Sequence, residues 1–242
     1  MASISTTPAR RNGIATQHVI FLASENGALP GGKVGGVGDV VRDLPQALAG
    51  EGWQVQVATP SYGTQHRLTG AQMRGVVDAP FRGARHAVEV WLLTDDCVVE
   101  NIILHHSEYE DRGAGRIYFG EDGDRPFATD ANKFAFFCAA AAAWIQSLQQ
   151  APDVVHLHDW HAALYLPVTH YLPEFESLRS IRTVFTIHNL SYQGTRPLDG
   201  DDSSLAAWFH YIRYDRDAVC DPEHRHCINP MAAAIRLADR VS

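Results

Sequence analysis

The chain has 242 residues, of which 45% are hydrophobic and 20% charged, and its formal net charge is −8 at pH 7. This composition is typical of a globular protein with one sizeable core, and the excess of acid argues against a nucleic-acid partner. The longest apolar run, residues 134–145, is shorter than the roughly 18–20 residues needed to cross a bilayer, so we expect no membrane partner. Four cysteines at uneven spacing and no signal-like apolar segment favour a reduced, cytoplasmic setting.

The first quarter of the chain predicts a βαβ unit. Residues 1–17 show no apolar pattern, and we expect a disordered tail there. The apolar run 19–23 is typical of a strand buried on both faces of a parallel sheet. A glycine-rich loop over 31–38 leads into the helical apolar spacing of 39–49, and 54–59 predicts the second strand.

The rest of the chain continues to alternate strands with helices. The predicted strands are 87–93, 98–104, 154–158 and 182–187, the predicted helices are 130–149 and 230–238, and 112–125 is a predicted surface loop. A hairpin turn is expected near Asp95 and Asp96. The fold class is therefore α/β, with a Rossmann-like, open and mainly parallel sheet. Val241 has the character of one more strand, from which we expect a fragment or a single lobe.

Three polar segments, residues 24–39, 158–161 and 188–194, follow predicted strands. In open α/β sheets, ligands bind beyond the carboxyl ends of the strands. Because the three segments come from three different strands, we expect one cleft to collect them.

The first polar segment has the chemistry of an anion site. Gly35 and Gly36 precede a helix, where free backbone N–H groups and the helix dipole favour negative charge, and Lys33 adds a positive charge. The adjacent glycines do not match the dinucleotide fingerprint, and the segment lacks the ending of a P-loop. The alternative is a flexible loop that only turns the chain.

The second segment joins histidines to an aspartate and a tryptophan. Such a cluster suggests a metal site, but alternation along the strand places His156 and His158 on one side while Asp159 turns away. We therefore expect no metal here. Trp160 between Asp159 and His161 instead suits the apolar face and the hydroxyl groups of a sugar.

Two further clusters have plain structural alternatives. His188 opens the third segment, which on its own is more typical of a strand-ending loop whose histidine bonds to backbone. Residues 220–227 hold two thiols and two imidazoles, yet their spacing matches no zinc motif. We expect a solvated loop there rather than a zinc site.

Taken together, these segments resemble the N-terminal half of bacterial glycogen synthases and plant starch synthases. The resemblance rests on Ser24-Glu25, on Lys33-x-Gly35-Gly36-x-x-Asp39, on Leu44-Pro45, and on the stretches 152–162 and 184–194. It implies the GT-B glycosyltransferase architecture of two facing Rossmann-like domains. Residues 18–242 would form the N-terminal, acceptor-side lobe, and the C-terminal nucleotide-binding lobe would be absent.

The resemblance also implies an activity. Enzymes of this family transfer glucose from ADP-glucose to the non-reducing end of an α-1,4-glucan with retention of configuration, and they use no metal or other cofactor. The implied partners are therefore ADP-glucose, an α-1,4-glucan such as glycogen or a maltooligosaccharide, and a C-terminal lobe or partner chain.

Site roles follow from the same resemblance. It implies catalytic roles for Lys33, Asp159 and His188, with Lys33 reaching the donor and His188 beside the transferred glucose. The substrate-binding residues that it implies are Lys33, Gly35, Gly36, Asp39, Trp160, His161, Asn189 and Tyr192. This arrangement suits a phosphate leaving group, which needs positive charge and N–H donors.

Two departures from the family pattern limit the expected activity. Ala232 stands where family members carry a lysine, and the lobe that supplies most nucleotide contacts is missing. We therefore expect this chain alone to be catalytically silent or nearly so. The alternatives are a non-catalytic, single-lobe module that binds glucan or regulates, and a metal-dependent hydrolase that uses the histidine-rich segments.

Overall fold

An eight-stranded sheet organises the part of the chain that the computed structural model describes, namely residues 10–11, 14–94, 99–110, 113–119, 125 and 127–242. Its strands are β1 (His18–Leu22), β2 (Gln54–Pro60), β3 (Gln72–Phe81), β4 (Ala84–Thr94), β5 (Glu100–His105), β6 (Val154–His158), β7 (Arg182–Thr186) and β8 (Arg240–Val241). They lie in the order β8-β7-β6-β1-β2-β5-β4-β3, and within this sheet β4 alone runs against the others. The predicted mainly parallel α/β sheet is confirmed.

Helices pack on both faces of the sheet. The α-helices in the described residues are α1 (Gly36–Gly50), α2 (Ala128–Ser147), α3 (Asp159–Ala163), α4 (Tyr165–Tyr171), α5 (Leu205–Trp208), α6 (Arg216–Val219) and α7 (Pro230–Leu237). Shorter 3-10 helices occupy Gln65–Arg67, Ser107–Glu110 and Pro173–Ser180. None of the helices formed by the described residues is both long and apolar enough to cross a bilayer.

The sequence of β1 explains why helices cover both faces of the sheet and form three layers with it. Its side chains alternate between the two faces, as they must in a strand. Val19 and Phe21 belong to the smaller core beneath α1, whereas Ile20 and Leu22 belong to the larger core that contains α2. All five residues of β1 are buried, because a helix covers each face of the sheet.

Helix α2 is apolar around most of its circumference and lies inside the molecule. Seventeen of its residues are buried, including the whole apolar run 134–145, as expected of a helix with no polar face. The run of alanines brings its backbone close to neighbouring elements, while Phe134, Phe136 and Phe137 fill the space beside it. The apolar run is therefore a buried core helix.

The chain order creates a crevice. β1 pairs with β2 on one side and with the much later β6 on the other, so the strand order reverses at β1. Crevices of this kind lie beyond the carboxyl ends of the strands and are the usual ligand sites of open α/β sheets. The segments after β1, β6 and β7 all reach this edge, as the sequence predicted.

Some sequence-based expectations are wrong or lie outside the described residues. Strand β3 was not predicted, and the predicted surface loop over 112–125 contains Ile117, which is buried, and Tyr118, which is half-buried. The turn at Asp95 and Asp96 lies outside the described residues, although β4 and β5 do pair as a hairpin.

The N-terminal segment and one later segment form small separate ladders. Arg10–Arg11 pairs with Ile14–Ala15, and Arg196–Pro197 pairs with Cys227–Ile228. Residues 1–9 and 12–13 lie outside the described part of the chain, and a disordered tail over 1–17 stays a prediction.

Candidate functional site

A cavity of about 660 Å³ opens at the carboxyl edge of the sheet, at the point where the strand order reverses. Its walls come from the segments after β1, β6 and β7 and from the start of α2. The lining residues are Glu25, Val34, Gly35, Gly36, Val37, Tyr118, Phe127, Asp130, Asp159, Trp160, His161, His188, Asn189 and Tyr192. One cleft thus collects all three predicted polar segments.

Glu25 shapes the glycine-rich loop. Its carboxylate, 2% exposed, accepts hydrogen bonds of 2.7 Å from the backbone N–H groups of both Val34 and Gly35. The other carboxylate oxygen accepts a 2.8 Å bond from the hydroxyl of Tyr118. Charge-assisted bonds of this kind are stronger than neutral ones. The N–H of Gly35, expected to face a ligand, is therefore held by the protein's own carboxylate.

The first turn of α1 offers the backbone donors that remain. No side chain caps this helix, and none of the described residues accepts from the N–H groups of Gly36, Val37 or Gly38. Gly36 and Val37 line the cavity. An uncapped helix N-terminus that opens into a cavity is a site for negative charge.

Lys33 and Asp39 lie beside the cavity and not among its lining residues. The Lys33 Nζ is 2.5 Å from Oδ2 of Asp39, and Arg42 lies 3.1 Å from the other carboxylate oxygen. About two fifths of each of the Lys33 and Asp39 side chains is exposed. Asp39 therefore orients Lys33 at the start of α1.

Asp159 fixes the loop that follows β7. Its Oδ1 accepts the backbone N–H of His188 at 2.7 Å and that of Asn189 at 3.3 Å. Its own φ of 55° lies in the left-handed region, which aspartate and asparagine tolerate better than most residues. Burial raises the pKa of this carboxyl group, and the two N–H donors oppose that shift.

The histidines at the ends of β6 and β7 form a row. The rings of His156 and His158 are 4.3 Å apart, so they share one side of the strand as predicted, and His158 Nδ1 lies 2.9 Å from His188 Nε2. Burial, with the neighbouring imidazoles as a second cause, lowers the pKa of His156 to about 4 and that of His158 well below its usual value. Both are neutral at physiological pH.

Trp160 lines the cavity but is only 4% exposed. Its ring meets Phe134 edge-on at 5.6 Å, and Gly194 lies against it so closely that an added Cβ would be 2.4 Å from the ring. Most of this side chain is therefore core, and only its margin faces the cavity.

His161 is buried between aromatic rings. It lies 4.2 Å from Trp160, 4.7 Å from Phe134 and 5.0 Å from Tyr118, measured between centroids. Burial, together with the nearby charge of Lys133, lowers its pKa to about 3. It is a neutral, packed wall of the cavity.

Two aromatic residues form the outer rim. Tyr192 is 51% exposed, and its ring meets that of Phe127 edge-on at 5.1 Å. Asn189 lies between His188 and Tyr192 in the chain. Its side-chain oxygen accepts the backbone N–H of Ser191 at 2.8 Å and so stabilises the turn there. Exposed aromatic rings beside polar groups suit the faces and hydroxyls of a sugar.

A buried ion pair supports the cavity wall from behind. Lys133 Nζ lies 3.1 Å from Asp130 and donates to the carbonyl of Ile117 at 2.7 Å, while Asp130 accepts the N–H of Phe119 with both oxygens at 3.0 Å. Together they clamp the segment that carries Tyr118. This support places Tyr118 against Glu25.

Sequence reasoning found most of the site but missed its supports. Of the predicted residues, Gly35, Gly36, Asp159, Trp160, His161, His188, Asn189 and Tyr192 line the cavity. The missed residues are Glu25, Tyr118, Phe127, Asp130 and Lys133. Glu25 belonged to the Ser24-Glu25 motif of the resemblance, three residues beyond β1, but received no role, whereas the others join the site only through long-range folding.

The cysteine- and histidine-rich stretch does not contribute to the cavity. Its residues 222–226 are exposed, and Cys220 and Cys227 are free thiols. Across the described ranges, no group of three or more His, Cys, Asp or Glu side chains is arranged to hold a metal ion. Ala232 donates its N–H to Oδ1 of Asn229 at the start of α7.

Comparison with solved structures gives the class of protein. The catalytic domain of starch synthase IV from Arabidopsis thaliana, bound to ADP and acarbose, matches 94% of this chain and 44% of that chain, with a TM-score of 0.75 and 26% identity. The fold is one lobe of a GT-B glycosyltransferase. Within that class, the chain belongs to the starch synthase catalytic domain family, whose profile matches residues 18–242.

Curated relatives agree with this assignment. A glycogen synthase of Streptococcus gordonii is 33% identical over 230 residues, and one of Exiguobacterium sibiricum is 38% identical over 233 residues. Each alignment covers 93% of this chain and 44% of the relative, so the chain spans less than half the length of these relatives. The resemblance seen in the motifs is confirmed.

Proposed function

We propose that this chain is the acceptor-side lobe of a retaining glucosyltransferase that moves glucose from ADP-glucose to the non-reducing end of an α-1,4-glucan. One observation carries the proposal: a single cavity joins the uncapped N-terminus of α1 to the loop of His188 that Asp159 holds. The first feature suits a phosphate, and the second suits a sugar.

The phosphate end would use backbone and cation together. The first-turn N–H groups of α1 would meet the diphosphate, and Lys33, poised on Asp39, would turn toward it. Stabilising the departing phosphate in this way is electrostatic catalysis with donors that are already in place.

The sugar end would use the loop after β7. Asp159 fixes the backbone of His188 and Asn189, so a glucose held there would meet a preorganised wall. The rim formed by Phe127 and Tyr192 would contact the glucan acceptor. No metal or other cofactor enters this proposal.

The second lobe completes the proposed enzyme. Because the chain spans less than half of its relatives' length, the nucleotide would be open to solvent on one side when this lobe binds it alone. We therefore expect weak ligand binding and no measurable ADP release from this chain with ADP-glucose and glycogen.

The test is a titration of the ¹⁵N-labelled chain followed by amide chemical shifts. ADP should perturb Gly36 and Val37, and ADP-glucose should perturb these and also His188 and Asn189. Brisk ADP release, or the lack of any response at these amides, would contradict the proposal. Glycogen binding without a response to ADP-glucose would instead favour the non-catalytic glucan-binding module.

A matched pair of variants tests the role of Lys33. Lys33 and Arg42 both pair with Asp39, and each is about two fifths exposed. Lys33→Gln should weaken ADP-glucose binding about tenfold, because one charge-assisted contact contributes about 1.4 kcal/mol. Arg42→Gln also removes one positive charge that pairs with Asp39. It should leave the affinity for ADP-glucose within about twofold of the wild-type value. Equal losses would show a general effect of charge and not a contact by Lys33.

A further inference from the structure

His158, the last residue of β6, receives no role from the family resemblance, yet it lies directly behind His188. Its Nδ1 is 2.9 Å from Nε2 of His188, and the two rings are 5.2 Å apart with an angle of 14° between their planes. The His158 ring also stacks on Phe21 at 5.4 Å. Only 1% of His158 is exposed, and its Nε2 has no hydrogen-bond partner among the described residues.

When both rings are neutral, one proton lies between His158 Nδ1 and His188 Nε2. It can be bonded to either of these two nitrogens, which then donates to the other. If His188 donates from Nε2, the remaining proton of His158 sits on its buried Nε2, where no described residue accepts it. If His158 donates from Nδ1, its buried Nε2 carries only a lone pair, and His188 carries its own proton on Nδ1. A buried N–H without an acceptor is the rarer defect in proteins, which favours the second arrangement.

We infer that His158 is a positioning residue that holds His188 in the Nδ1–H tautomer, so that the His188 ring presents a hydrogen-bond donor to the cavity. His188 is half-buried and lines the cavity, and its Nδ1 makes no hydrogen bond within the described part of the chain. His158 stays neutral because burial lowers its pKa, and the neighbouring imidazole of His156 adds to that effect. The carboxylate of Asp159, the residue after His158, is engaged with the backbone N–H groups of His188 and Asn189.

The tautomer decides what the site recognises. A free neutral imidazole carries its proton mainly on Nε2, which would leave Nδ1 as an acceptor. With His158 in place, the same nitrogen is a donor, and it selects a ligand oxygen that accepts a hydrogen bond. The inference rests on the proposed function only in identifying that oxygen as a sugar hydroxyl.

The test is a ¹⁵N–¹H correlation spectrum of the imidazole rings in the full chain, labelled on histidine, at about pH 8, where an ordinary histidine is neutral. His188 should show a protonated Nδ1 and an unprotonated Nε2, and so should His158. Signals are assigned by their loss in single variants. A His188 ring that is protonated on Nε2, on both nitrogens, or on each in fast exchange would overturn the inference.

Variants separate positioning from simple packing. His158→Phe keeps a flat ring against Phe21 and removes the donor, so His188 should change to a mainly Nε2–H ring. His158→Asn returns an amide N–H near the place of Nδ1 and should restore the Nδ1–H form. His156→Phe is the control, because His156 lies two residues before His158 on the same strand. This variant should leave the His188 tautomer unchanged. An unchanged tautomer in folded His158→Phe would also overturn the inference.

The measurement stays independent of the proposed function, since the tautomer is read without a ligand. ADP-glucose is then titrated into the same wild-type sample. The Nδ1–H tautomer without a response to ADP-glucose would contradict the proposed function alone, whereas a response with the other tautomer would contradict this inference alone.

Discussion

Gly194 lies where the backbone of one loop meets the ring of Trp160. Its φ of +72° is in the left-handed region, and an added Cβ would lie 2.4 Å from the indole. Gly200 has a nearly equal φ of +75° but nothing within 4 Å of an added Cβ. The two glycines therefore separate the cost of the backbone conformation from the cost of the close approach.

Alanine at these two positions should have different effects. Gly200→Ala should lower the free energy of unfolding by about 1 kcal/mol, the cost of a left-handed backbone with a Cβ. Gly194→Ala should lower it by about 3 kcal/mol, because the indole must also move. Urea denaturation measures both values. Equal losses would mean that the Trp160 ring yields freely, and that the loop is not fixed by it.

At the scale of elements, the glycine-rich loop depends on a carboxylate from the preceding strand. Glu25 is the acceptor for Val34 and Gly35, and Tyr118 holds Glu25 from the far side. The start of α1 is therefore set by residues up to 93 positions apart in the chain. This explains how a loop that is rich in glycine has a defined shape.

Glu25→Gln should loosen this loop. The amide keeps the size of the side chain but loses its charge, and a hydrogen bond to a charged group contributes about 1.5–3 kcal/mol. Hydrogen exchange of the Val34 and Gly35 amides should therefore accelerate about tenfold or more. Tyr118→Phe, which removes only the hydroxyl, should accelerate both amides less. The role of Glu25 is refuted if exchange at these amides is unchanged in the variant.

The elements that sequence reasoning found and missed differ in kind. β1, β2, β6 and β7 were predicted to within one residue at each end, because each carries buried apolar residues between polar or glycine-rich segments. All of β1 and nearly all of β2 is buried, whereas β6 and β7 alternate buried with less buried positions. β3 was missed because it is an edge strand with much of one end exposed, a register shift between Met73 and Gly75, and a proline near its end. Its polar pattern resembles a loop.

The site shows the same division. Asp159 directly follows β6 and His188 is the second residue after β7, so both stand where topology brings side chains to one edge, and the sequence places them there. Lys133 gave no such signal, because a lysine on an apolar helix is normally at the surface, whereas here it is 2% exposed beside Asp130. Only the path of the chain around Ile117 makes that burial possible.

At the scale of the whole molecule, buried neutral histidines link stability to acidity. Burial lowers the pKa of His18, His156, His158 and His161, so the unfolded chain binds more protons than the folded chain below about pH 6.5. Their contribution to stability is complete above that value and is lost as the pH falls. For His156, with a pKa of about 4, the loss by that pH is on the order of 3 kcal/mol.

His161→Phe tests this linkage. The new ring keeps the aromatic packing against Trp160 and Phe134 and removes one titrating group. Stability near neutral pH should change little, while the decline from pH 6.5 down to about 4 should be smaller by on the order of 3 kcal/mol. Urea unfolding across this range measures the slope. Identical slopes in the variant and the wild type would show that His161 does not contribute to the loss of stability at acidic pH.

The central position of β1 also means that its two edges can pair only at different times during synthesis. β1 can pair with β2 as soon as residue 60 has emerged, but its other edge waits for β6, which ends at His158. At about 5–20 residues per second, the intervening stretch of roughly 100 residues takes about 5–20 s to translate. For that interval, the most apolar strand of the sheet presents an open edge to other nascent chains. The order of strands that creates the crevice therefore also creates a period in which an unpaired strand edge is exposed to aggregation.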